Sequence, residues 1–78
     1  MELGTIVWAL DDLRNYSPIE CIYQGRWKHN LKAVPHKVLL VSTLSGDRLV
    51  EDARVVYDNE QQAIGAQKFA LLNKHSLH

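Results

Sequence analysis

Residues 5–10 alternate, with Ile6, Trp8 and Leu10 on one side and Thr5, Val7 and Ala9 on the other. β-Branched and aromatic residues at a period of two predict a strand. Asp11, Asp12, Asn15, Ser17 and Pro18 then form a polar loop whose side chains compete for backbone hydrogen bonds. Alternation resumes at 19–24, which puts Ile19, Cys21 and Tyr23 together. Gly25 weakens any extension of that strand, and the chain from Arg26 to Lys37, with Pro35 in it, reads as a long exposed connection. Residues 38–44 predict the strongest strand. Val38, Leu39, Leu40 and Val41 are apolar in succession, a pattern of cover on both faces. Ser45-Gly46-Asp47 predicts a tight turn with Gly46 at positive φ, returning through a strand at 48–50. A fifth short strand at 53–57 places Val55 and Tyr57 inward.

Asp58 and Gln61 have the spacing of a capping box, which predicts a helix over 59–75 closed by Lys74 and His75. On its wheel Ala63, Ala66 and Ala70 share one face. Phe69 lies to one side of them, Ile64 and Leu71 to the other, and Leu72 near the opposite face. Gly65, inside this helix, implies either close backbone packing or simple tolerance of a cost near 1 kcal/mol.

Five short strands and a terminal helix make a mainly β chain. The count, the spacing and the strand running into a capped helix resemble an SH3-like small barrel of the Tudor and KOW type, closed by a C-terminal helix. The alternative is an open α+β antiparallel sheet with the helix on one face. The expected core is Ile6, Trp8, Leu10, Ile19, Cys21, Tyr23, Val38, Leu40, Leu49, Val55, Ile64 and Leu71.

Seventy-eight residues, 46% hydrophobic and 23% charged, suit one small folded domain. Its net stability would be about 4–12 kcal/mol. A single cysteine excludes an internal disulfide. No signal peptide or membrane-length apolar run stands in the sequence, so a cytoplasmic location is expected. Enzymatic motifs are missing: there is no Gly-rich phosphate loop or dinucleotide fingerprint. Cys21 lies in an alternating strand beside Ile19 and Tyr23, as a buried thiol would. His75 and His78 offer two imidazoles without a third ligand, so no metal site and no cofactor are expected. The acidic pairs Asp11-Asp12 and Glu51-Asp52 read as solvated turns. A binding module, not an enzyme, is the resulting expectation.

Charge is divided along the chain, although nine bases balance nine acids overall. Between Glu20 and Asp47 lie Arg26, Lys28, Lys32 and Lys37, with His29 and His36, and no acid; the remainder holds nine acids against five bases. Trp27 stands between Arg26 and Lys28. Such a loop suits an acidic protein surface with Trp27 as anchor, because Trp and Arg are enriched at hot spots. It also suits a single-stranded nucleic acid, with Trp27 stacking on a base. The structural alternative is a solvated loop whose Trp27 folds back over the barrel. The acidic turns and the neutral total favour the protein partner over the polyanion. The apolar arc of the helix is wider than one barrel needs, which predicts a two-fold dimer through Ala66, Phe69 and Leu72.

Overall fold

The computed structural model describes residues 2–76. Strands β1 (Ile6–Asp11), β2 (Ser17–His29), β3 (Lys32–Ser42) and β4 (Arg48–Asp52) are antiparallel. They form an open four-stranded sheet in the order β1-β2-β3-β4, and helix α1 (Glu60–Ser76) follows it. The chain is therefore mainly β with one C-terminal helix, and the sheet is not a closed barrel.

Local chemistry accounts for the turns. The Asp11 carboxylate accepts from the Leu13 amide at 3.0 Å and starts a single 3-10 turn, Asp12–Arg14. Asn15 and Tyr16, both at positive φ, then reverse the chain into β2. Gly46 takes the expected positive φ of 75° between β3 and β4, and its amide donates to the Ser42 carbonyl.

The expected fifth strand at 53–57 is a second 3-10 turn, Ala53–Val55. Asp52 causes the difference: its carboxylate accepts from the Arg54 amide at 2.8 Å and from the Arg54 guanidinium at 3.0 and 2.7 Å. That clamp winds the backbone where an extended strand was expected. Val55 is left exposed, and Val56 packs against the core in its place. Beyond the turn, Tyr57 makes one isolated antiparallel bridge to Trp8.

Register sets the core. Val7 pairs with Cys21 and Cys21 with Ser42, while Tyr23 pairs with Leu40 and Leu40 with Leu49. Directly paired residues share a face, so Val7, Ala9, Cys21, Tyr23, Val38 and Leu40 form the buried cluster, with Ile19, Leu49 and Val56 against it. The expected orientation of β1 is therefore reversed: Val7 and Ala9 are inward, while Ile6, Trp8 and Leu10 are not fully buried. Ile6-Val7-Trp8-Ala9-Leu10 is apolar at every position, so a period of two could not choose the face. Ile6 pairs with Ile22 and Ile22 with Val41, an apolar ladder on the opposite face. Cover on both faces of Val38–Val41 is not found either, since Leu39 and Val41 are only half-buried.

Helix α1 packs on β1 and β2. Ala63 is fully buried, and Ile64 and Leu71, expected in the core, are half-buried. Its cap is one residue later than expected. Asn59 Oδ1 accepts from the Gln62 amide at 2.9 Å, and Gln62 Oε1 accepts from the Asp58 amide at 3.2 Å. The Gln67 side-chain amide donates to the Asn15 carbonyl at 3.1 Å and ties the helix to the β1–β2 connection.

Candidate functional site

The basic segment 26–37 is a β-hairpin arm and not the loop expected. Strand β2 continues to His29, Asn30 and Leu31 make the turn, and β3 begins at Lys32. Both turn residues are left-handed, at φ 51° and 68°, as a two-residue hairpin turn matching strand twist requires. Thirteen residues of β2 at roughly 3.3 Å each account for the 40 Å long axis of the molecule, twice its thinnest dimension of 20 Å. The arm therefore makes one end of the body.

Two irregularities shape the arm's base. The β2–β3 register shifts between Tyr23 and Arg26 and again between Arg26 and Lys28. Gly25, at φ 106°, is required at the first: a side chain there would be strained and would also meet Leu3, whose Cδ2 lies 3.2 Å from the Cβ position. His36, at φ 63°, lies within the second, between the Arg26–Val38 and Lys28–Ala33 pairs. A concavity of about 530 Å³ opens beneath, lined by Tyr23, Arg26, Pro35, His36, Lys37 and Ala53.

The arm brings the candidate side chains together on two faces. Lys28 pairs with Ala33, and His29 with Lys32, so Lys28 and Lys32 point to opposite sides of the ribbon. Arg26, Lys28, His29, Lys32 and His36 are exposed; Trp27 and Lys37 are half-buried. Trp27 is thus partly covered and not part of the buried core. At the tip Leu31 is 95% exposed.

A second concavity, about 410 Å³, lies between α1 and the sheet. Leu10, Tyr16, Tyr57 and Phe69 line it with the carboxylates Asp12 and Glu51. Ala66 and Ala70 form its helical wall, so Ala66 is half-buried there, while Phe69 and Leu72 are 66% and 68% exposed. Burial raises the Glu51 carboxyl above its ordinary value, and the neighbouring Asp12 carboxylate raises it further; Lys37 pulls it back in part. The wide apolar arc of the helix was the only sequence signal of this groove. Its other walls come from residues 10–16 and 51–57, two distant stretches that no local motif connects.

Cys21 and Asp52 have structural explanations for their shifts. Burial pushes the Cys21 thiol up to about 11, with Glu51 and Glu20 adding to it, so it stays protonated at neutral pH. It donates to the Ile19 carbonyl at 3.6 Å. Hydrogen bonds from the Arg54 side chain, then from its backbone, hold Asp52 well below the usual carboxylate range. No group of three or more His, Cys, Asp or Glu residues placed to hold a metal ion occurs among the described residues. His78 lies outside them. No helix among the described residues is long and apolar enough to cross a membrane. Comparison with protein-family models, with curated proteins and with solved structures finds no match to this chain.

Proposed function

We propose that this chain is a non-enzymatic binding module whose basic arm docks on an acidic protein surface. The observation that carries the reading is Leu31, a large apolar side chain 95% exposed in left-handed backbone at the tip of a ribbon bearing Lys28 and Lys32. Left-handed backbone costs a non-glycine residue about 1–2 kcal/mol, and such strain concentrates at functional positions. An apolar tip gains from a protein cleft, where it is dehydrated; a phosphate backbone offers it little. The cations steer the approach and fix orientation more than they add affinity.

The same module self-associates through the α1 face that carries Ala66, Phe69 and Leu72. Support comes from the exposure of Phe69 and Leu72 and from the small size of the domain, which gains stability from added burial. The SH3-like reading draws its support from the Trp8–Tyr57 bridge, which meets β1 on the edge away from β2, where a fifth strand would lie.

Titration of the protein with labelled peptides rich in Asp and Glu around an apolar residue, and with labelled single-stranded DNA and RNA, tests the partner. Peptide binding that Leu31→Asp and Lys28→Glu each weaken supports the proposal. Tighter oligonucleotide binding, lost at moderate salt and on Trp27→Ala, replaces it with the nucleic-acid reading.

A further inference from the structure

The groove between α1 and the sheet has walls suited to a particular guest. Asp12, after β1, and Glu51, on β4, both line it, and neither carboxylate makes an ion pair or side-chain hydrogen bond among the described residues. Around them stand Leu10, Tyr16, Tyr57 and Phe69. At about 410 Å³ it falls within the range of about 300–1,000 Å³ common for ligand clefts. A guest that satisfies both the carboxylates and the aromatic walls must be cationic and carry an apolar side chain.

The arm tip has that composition. Leu31 stands between Lys28 and Lys32, which project to opposite faces, so a cleft could contact cations on both sides of the inserted ribbon. Leu13 and Leu44 are comparably exposed, but among the described residues only Leu31 combines exposure with left-handed backbone and flanking lysines. The chain cannot fill its own groove with its own tip. Lys37, the arm residue whose charge acts on Glu51, stands at the arm's base, and Leu31 lies six residues further out, roughly 20 Å of extended strand.

We infer that the groove receives the arm tip of a second copy of this chain, with Leu31 against Tyr57 and Phe69 and the lysines beside Asp12 and Glu51. The inference rests on the reading of the arm as a protein-docking element, and it names the acidic surface: the protein's own. Each copy offers one arm and one groove, so reciprocal insertion closes a two-fold dimer.

Charge exchange tests this. Light scattering after gel filtration is run on the wild-type chain, on a groove-reversed variant (Asp12→Lys with Glu51→Lys) and on an arm-reversed variant (Lys28→Glu with Lys32→Glu). Wild type is expected at twice 8.9 kDa, each variant alone with its dissociation constant raised roughly tenfold or more, and an equal mixture of the two back at the dimer mass. Three results overturn the inference: a wild-type monomer at high micromolar concentration, a dimer that both variants retain, or a mixture no better associated than its parts. Circular dichroism checks each fold. Should Lys at Asp12 and Glu51 disrupt it, Asp12→Asn with Glu51→Gln takes its place, and Leu31→Asp tests the arm independently. The groove-reversed chain keeps its arm intact. If it binds acidic peptides while wild type stays monomeric, the self-docking inference falls and the docking function stands.

Discussion

Trp8 and Tyr57 exchange two backbone hydrogen bonds, each 2.8 Å, and so join the first strand to the segment that leads into the helix. Trp8 uses there the amide and carbonyl that β1 presents away from β2. The bridge is the sole ladder contact beyond the four-stranded sheet among the described residues. It positions Tyr57 at the groove and fixes where α1 begins its return across β1 and β2.

Removing one donor measures what the bridge contributes. Tyr57→Pro deletes the amide that Trp8 accepts from, whereas Tyr57→Ala keeps it and loses only the ring. The proline variant is expected to be less stable than the alanine variant by about 1–3 kcal/mol. Urea denaturation of the two checks the difference.

Gly65 is a case of tolerance, not of close packing. A Cβ added there meets nothing within 4 Å. Gly65→Ala is therefore expected to stabilise the protein by up to about 1 kcal/mol, read as a rise in the thermal midpoint. A fall would mean that something does approach the helix at that point.

The element types were legible where pattern and punctuation agreed. Val38–Val41 gave β3, Gly46 the β3–β4 turn, and the polar pair before the helix its start, misplaced by one residue because Asp58 and Asn59 are both competent caps. Legibility failed where one interaction decided between two acceptable conformations. The Asp52–Arg54 clamp converts a strand-like 53–57 into a turn, and the uniformly apolar β1 leaves its inward face to be set by partners on β2. The arm was hidden by Gly25 and Pro35, which read as breakers but are accommodated as irregularities of a continuing ribbon. The cations of the candidate site were therefore found by charge alone, and their shape was not.

Relieving the tip separates stability from binding. Leu31→Gly accepts φ 68° without a side-chain clash. It is expected to raise the unfolding free energy by about 1 kcal/mol while weakening self-association. Denaturation in dilute solution and light scattering in concentrated solution read the two effects, which should have opposite signs.

Glu51 and Asp52, adjacent in sequence, respond to acid in opposite directions. Burial raises Glu51 in the folded state, so its contribution is fully present below the ordinary carboxylate range and is lost as pH rises through the folded value. Glu51→Gln is thus expected to be more stable than wild type at neutral pH, with the gap closing on acidification. Asp52, held low by Arg54, favours folding above the ordinary range and loses that contribution as pH falls. Asp52→Asn should destabilise at neutral pH and match wild type in strong acid. Thermal midpoints across the acid range check both.

The β1-β2-β3-β4 order has a consequence for how quickly the chain reaches its native state. Every ladder of the sheet joins sequence neighbours, so each can zip outward from its own turn with little loop to close. The Trp8–Tyr57 pairing instead requires the whole sheet to intervene before it forms. Hairpins are therefore expected to form first, with the bridge and the docked helix added late to an existing scaffold. A lesion at Tyr57 then hastens unfolding and leaves the refolding rate nearly untouched, whereas one at the Asn30–Leu31 turn slows the start.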